Sequence, residues 1–329
     1  MNILHETFSK YVAILGRGPG KSRALTGDEA RDAFGMVLRG EPDPRQLGAF
    51  LMLLRFRGED AAEIAGMVQA VRDSIAAPWS ELGAALDWPS YGSGRTRGAP
   101  WFLLSARALA RAGVTVAMHG SNDHSSGIPV ESALGALGLA PATGRADAAT
   151  QLRVTGFTYL PLAAISPALD ELLGLRRLFG LRSPVNTVAR LVNPAGAPAS
   201  VDGVFHPPYI AVHLGVAELL GQPRLLVLKG GGGEAERVPL KPATGWLWDR
   251  DLGRTDIALP AIPGLPPLAP AADTPELLAA VWRGETAPPT IVATVVATIG
   301  LALLALNKAR GIEAANADAE RIWRARGTA

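Results

Sequence analysis

Three glycine-bearing stretches hold most of the residues whose types and spacing suit chemistry on an anion. They are YGSGRTRGAP (91–100), HGSNDHSSG (119–127) and KGGGGEAE (229–236). In the first, Gly92, Gly94 and Gly98 leave the backbone free to wrap a ligand, and Arg95 and Arg97 supply guanidinium forks that match phosphate oxygens. The second offers His119, Gly120, Ser125 and Ser126. The third places Lys229 before Gly230 to Gly233, whose amides can form an anion nest, and ends in Glu234. No nucleophile is evident: the chain has no cysteine and no Gly-x-Ser-x-Gly elbow, so no catalytic residue is assigned. His119, His124, His206 and His213 lack metal-ligand spacing beside a carboxylate, so no metal site is assigned either.

Charge is clustered rather than abundant. The net charge is +2, yet residues 88–122 carry Arg95, Arg97, Arg107 and Arg111 without an acid. Residues 172–201 carry Arg176, Arg177, Arg182 and Arg190, and residues 7–27 carry Lys10, Arg17, Lys21 and Arg23, again without an acid. Such runs suit a polyanion surface, or else solvated faces paired with acids such as Asp170 and Glu171. Trp101, Phe102, Tyr209, Trp246 and Trp248 are candidate stacking rings for unpaired bases, although Phe102, just inside a helix start, suits a core better. GRGPGKS (16–22) is not a phosphate-binding P-loop, because only three residues separate Gly16 from Gly20 and Pro19 lacks a donor.

These loops need a scaffold. Apolar residues make up 48% of the chain and charged residues 19%, as in a folded domain, and 329 residues suit two domains. The first 75 residues read as helices: Thr26 with Glu29 forms a capping box, Asp43 and Pro44 open a helix that stops at Gly58, and Asp60 with Glu63 caps another. Beyond residue 85, apolar stretches such as VTVAM (114–118) and LLVL (225–228) alternate with helical patterns, which reads as α/β. A helical stretch at 166–183 returns toward the first domain, and 258–272 is a proline-rich connector. The apolar run Thr290 to Leu306 is expected to be a buried helix, with no membrane span. The absence of cysteine and of a leader pattern in MNILHETFSKYV fits the cytoplasm.

The stretch LTGDEARDAFGMVLRGEPDPRQLGAFLMLLRFRGEDAAEIAGMVQAVR (25–72) resembles the helical domain of anthranilate phosphoribosyltransferase and its relatives in glycosyltransferase family 3. The resemblance continues through VTVAMHGSNDHSS and LRSPVNTVARLVNP (181–194) to the C-terminal helices. It implies α/β architecture with a small helical domain, residues 1–78 plus a returning segment at about 166–190. A larger α/β domain, 79–165 and 191–329, carries a central mixed, mostly parallel sheet. It also implies a homodimer through the helical domain. Against the family pattern, Arg95 stands near an aspartate position and Phe102 and Leu103 replace a Ser-Thr pair. Met118-His119-Gly120-Ser121-Asn122 replaces Lys-His-Gly-Asn-Arg, losing both cations. The magnesium-holding Asp-Glu pair falls on Glu234-Ala235 or Ala235-Glu236, and Ser166-Pro167-Ala168 replaces His-Pro-Ala. Ser125, Ser126 and Arg182 match.

Transfer of a ribosyl group needs the leaving pyrophosphate neutralised, so these departures weaken donor chemistry while keeping affinity for phosphate. They resemble the YbiB-type subgroup, sequence-independent binders of nucleic acid. The expectation is a homodimer that binds single-stranded DNA or RNA through Arg176, Arg177, Arg182, Arg190, Arg95, Arg97 and Lys229, with no cofactor. Gly92, Gly94, His119, Gly120, Ser125, Ser126 and Glu234 mark the family's cleft. The alternative is a glycosyl or phosphoribosyl transferase using magnesium and phosphoribosyl pyrophosphate on an unidentified acceptor. A scaffold that recruits a protein through its helical domain is a third, weaker reading.

Overall fold

The computed structural model describes residues 3–75, 79–92, 98–121, 127–269 and 272–327, with side chains from Thr7 onward. The chain begins with α1 (Ile3–Gly16), α2 (Gly27–Leu38), α3 (Pro44–Arg57) and α4 (Ala61–Ser74). A 3-10 turn, Trp79–Leu82, leads into β1 (Leu86–Ser90), α5 (Trp101–Arg111), β2 (Val116–Gly120), α6 (Val130–Ala136), α7 (Arg145–Thr155) and β3 (Phe157–Pro161). Short helices α8 (Leu162–Ile165), α9 (Pro167–Gly174), α10 (Arg176–Phe179) and α11 (Val185–Leu191) precede β4 (Ala199–Val204), α12 (Pro208–Leu219) and β5 (Arg224–Lys229). β6 (Ala243–Asp249), β7 (Gly253–Leu259), α13 (Pro275–Arg283), α14 (Pro289–Ala305) and α15 (Ile312–Arg324) complete it.

Two compact units result. One comprises Met1–Ala77, Leu162–Val192 and Ala211–Gly221; the other comprises Pro78–Pro161, Asn193–Ile210 and Gln222–Ala329. The helical unit therefore takes in 211–221, which the sequence assigns to the α/β domain. The reason is packing: a Cβ at Gly215 in α12 would lie 2.9 Å from the Ala61 side chain, so the two backbones approach closely.

In the helical unit, local chemistry sets the helix starts. Thr26 with Glu29, Asp43 with Gln46 and Asp60 with Glu63 each form a reciprocal capping box. Phe8, Phe34, Phe50, Ile64 and Met67 form its apolar interior, with Phe8 edge-on to Phe50 at 5.3 Å. Glu63 ties the unit together. It is 2% exposed and its Oε1 accepts from Leu25 N at 2.8 Å, while Oε2 accepts from Asp60 N at 3.3 Å. Burial pushes its carboxyl up, although the two backbone donors pull the other way.

The α/β unit is built on one seven-stranded sheet in the order β3-β2-β1-β4-β5-β6-β7. β3, β2, β1, β4 and β5 run parallel, and β6 and β7 complete an antiparallel edge. The sheet is mixed and mostly parallel, as the resemblance implies. The segment read as a connector from 258 begins inside β7, which pairs through Leu259 with Ala243. α14 is the apolar run, and its buried length includes Val295, Ile299 and Leu303. Arg224 closes its C-terminal end by donating to the carbonyls of Ala305 and Leu304 at 2.8 and 3.0 Å while pairing with Asp249. No described helix is long and apolar enough to cross a membrane.

Glu63→Ala should cost about 1–3 kcal/mol in urea unfolding, since the Leu25 amide loses its partner in the interior. A raised folded-state pKa means the folded form binds more protons than the unfolded one between the ordinary carboxylate range and that raised value. Stability is then lost as pH rises through this window. Glu63→Gln should flatten that loss when unfolding midpoints are compared across pH.

Candidate functional site

The strand order reverses between β1 and β4, and in open α/β sheets ligands sit outside the carboxyl ends of the strands at such a point. Here those ends carry Ser90, Tyr91 and Gly92 after β1, His119 and Gly120 closing β2, Gly203 and Val204 closing β4, and Lys229 closing β5. Glu234 lies among them. Its Oε1 accepts from Gly92 N in a short contact, so its side chain joins the loop after β5 to the loop after β1. Its backbone packs against β4 so tightly that a Cβ at Gly203 would fall 2.0 Å from the Glu234 carbonyl carbon. Glu234 is 1% exposed, and its Oε2 is buried without a hydrogen-bond partner. The Ser90 hydroxyl, on the same strand end, is likewise buried and partnerless.

Beneath this point lies a polar network that sequence reasoning missed. The Ser200 hydroxyl in β4 donates to Asp87 Oδ2 in β1 at 2.8 Å, across the reversal, and lies 3.3 Å from Asp202 Oδ1. A hydroxyl has one proton, and the shorter contact takes it. Asp87 Oδ1 faces His119 Nε2 at 3.3 Å, an electrostatic contact outside hydrogen-bond alignment. His119 Nδ1 lies 2.8 Å from the Tyr91 hydroxyl. The carboxylate opposite Nε2 favours the proton there, which leaves Nδ1 to accept from Tyr91. All five side chains are buried. The available signal was an acid between Leu86 and Trp88 in a stretch destined for the interior.

Glu236, the other carboxylate matched to the family's pair, accepts from Phe102 N at 2.9 Å and so caps the start of α5. Phe102 and Leu103 are wholly buried, as is Met118, so apolar packing occupies the positions of the lost hydroxyls and lysine. Magnesium is usually held by one or two carboxylates plus substrate phosphates. Glu234 Oε2, buried and without a partner, fits such an ion as a single protein donor.

Other expected residues are placed unevenly. Gly94, Arg95, Arg97, Asn122, His124, Ser125 and Ser126 lie outside the described residues. Arg176 and Arg177 sit on α10, half-buried and exposed respectively, Arg182 is half-buried, and all three belong to the helical unit. Arg190 is 8% exposed, within α11. Lys229 is exposed in the α/β unit. Arg107 stacks on Trp282 at 4.2 Å, and burial pushes its guanidinium down to about 10. Of the stacking rings, Trp101 and Phe102 are core, and Trp248 is buried in β6 with its indole N–H donating to Gln222 O at 2.9 Å. Ser166, at the acceptor motif, caps α9 by accepting from Leu169 N at 3.3 Å.

Comparison with known proteins agrees with this architecture. Residues 10–75 match the helical bundle domain of a glycosyl transferase family, and residues 102–325 match its a/b domain. An anthranilate phosphoribosyltransferase from Halobacterium salinarum is 32% identical over 208 residues, 63% of this chain and 62% of that enzyme's own length. An uncharacterized protein, YbiB, from Escherichia coli K12 is 28% identical over 248 residues, 74% of this chain and 77% of its own. The crystal structure of anthranilate phosphoribosyltransferase from Thermus thermophilus shares the fold, with a TM-score of 0.79 at 24% identity, covering 97% of this chain and 94% of that one. With both domains matched in order on a sheet of this topology, the chain belongs to the glycosyl transferase family made of a helical bundle and an a/b domain.

Proposed function

We propose that the chain is a glycosyl or phosphoribosyl transferase whose donor binds at the reversal between β1 and β4 and whose acceptor differs from anthranilate. The observation that carries this reading is Glu234: a buried carboxylate at the switch point with one oxygen tied to Gly92 N and the other without a partner. The named relatives in this family support a phosphoribosyl donor. Asp87, Asp202 and Glu234 make the interior beneath the strand ends rich in acceptors, which suits a phosphate that arrives with a cation. Magnesium, when bound, would neutralise the leaving pyrophosphate. The chain's own part is to hold the loop after β1 in place through Glu234 and through Tyr91 on His119. The change from His to Ser166, whose hydroxyl is used as a helix cap, supports a different acceptor.

The test is pyrophosphate release from phosphoribosyl pyrophosphate with magnesium, across a panel of aromatic amines and nucleobases. Turnover should fall at least tenfold in Glu234→Gln, which is about 1.4 kcal/mol of transition-state stabilisation. No release above a protein-free control with any acceptor would sink the reading.

A second reading, sequence-independent binding of single-stranded nucleic acid, is favoured by a different observation. Phe102, Leu103 and Met118 are wholly buried apolar side chains where the family pattern has phosphate donors. Arg177 and Lys229 meanwhile remain exposed. Contacts of that kind would engage phosphates without reading bases. Fluorescence anisotropy of a labelled single-stranded oligonucleotide should then show affinity falling steeply with salt. Removing charge at Arg176, Arg177, Arg182 and Lys229 together should flatten the slope, and phosphoribosyl pyrophosphate with magnesium should not compete. Absence of binding at low salt would dismiss this second reading.

A further inference from the structure

Residues of α14 and α15 line a cavity of about 420 Å³, within the ~300–1,000 Å³ range of small-ligand sites. Val292 and Val296 line it from α14, one turn apart on the same face, while Asn316 and Trp323 line it from α15. Glu320 and Arg324 stand on its exposed rim, paired with each other at 2.8 Å.

Arg237 also lines this cavity, and its chemistry is unusual for an apolar pocket. It is 4% exposed. Its backbone N–H donates to Thr298 Oγ1 at 3.0 Å, and Nη2 donates to the Pro260 carbonyl at 2.7 Å. Nη1 is buried and has no partner. Asn316 Oδ1 on the opposing helix is also buried without one. No carboxylate among the described residues pairs with Arg237, and burial, unopposed, pushes its guanidinium pKa down. An uncompensated buried cation is costly, and arginine is the side chain best shaped to meet a carboxylate.

We propose that this cavity is a binding site for a small carboxylate with an apolar or aromatic body, its carboxylate on the Arg237 guanidinium and its body between Val292, Val296 and Trp323. The ring of Trp323 offers a rigid wall, itself braced edge-on by Trp282 at 6.2 Å and stacked by Arg326 at 3.8 Å. The site lies wholly within the α/β unit and does not depend on the transferase reading.

Isothermal titration calorimetry on the full chain tests it, with phenylacetate as probe and neutral phenylacetamide as its isostere. Phenylacetate should bind at least tenfold more tightly than the amide. Arg237→Met should abolish that preference, and Ala293→Trp, which fills the cavity from α14 and keeps Arg237, should abolish binding of both. Circular dichroism checks that each variant is folded, and the two substitutions act through different elements, so loss of one leaves the other decisive. Equal binding of acid and amide, acid binding that survives Ala293→Trp, or no binding at millimolar phenylacetate would each overturn the proposal.

Discussion

A single carboxylate tie holds the strand-end geometry in register. Glu234 reaches from the loop after β5 to the amide of Gly92 after β1, while its backbone lies against Gly203 of β4. Three strand ends that are distant in sequence thus meet at one residue at the point where the strand order reverses. Carboxylate-to-amide bonds of this kind are charge-assisted and stronger than neutral ones, so the tie can resist the conformational freedom of a glycine-bearing loop. The Ser200–Asp87 bond repeats the linkage one layer deeper, joining β4 to β1 directly beneath.

That arrangement bears on what the residue losses mean. In a phosphate site made of hydroxyls and a lysine, replacing them with Phe102, Leu103 and Met118 deletes donors and fills their space with core. Glu234 and Glu236, however, are not idle remnants: one holds a loop and the other caps α5. A carboxylate retained for such a structural bond would be retained whether or not the site turns over. Its presence alone therefore says little about catalysis. The free Oε2 of Glu234 says more, because a buried acceptor without a donor is costly and a cation offsets that cost.

The helical unit was the most legible part of the sequence, and the reason is locality. Thr26 and Glu29, or Asp60 and Glu63, sit three residues apart, and their reciprocal bonds need nothing from the rest of the chain. The strands were harder. VTVAM pointed to β2, but that strand runs Val116–Gly120, so the apolar run starts early and the strand carries on through His119. β1 and β4 hold Asp87, Ser200 and Asp202 in fully buried strands, which breaks the apolar pattern by which parallel strands are recognised. Asp87 is tolerated there because the Ser200 hydroxyl arrives from 113 residues away, and no spacing rule announces such a partner. The buried Arg190 shows the complementary limit: an acid-free run shows charge but not which side of a helix faces the interior.

The segment from Glu234 to Arg237 connects these threads. Within four residues it sends one carboxylate to Gly92, another to Phe102 at the start of α5, and a guanidinium to Pro260 beside the α14–α15 cavity. Its backbone is pinned to α14 through Thr298, whose own hydroxyl donates back to Thr294 O at 2.7 Å. The stretch is held at several points at once, since Glu234, Glu236 and Arg237 bond Gly92, Phe102 and Pro260 in turn. The strand-end site and the cavity are therefore built on one short segment of chain, to which the loop after β1, the start of α5 and α14 are all bonded.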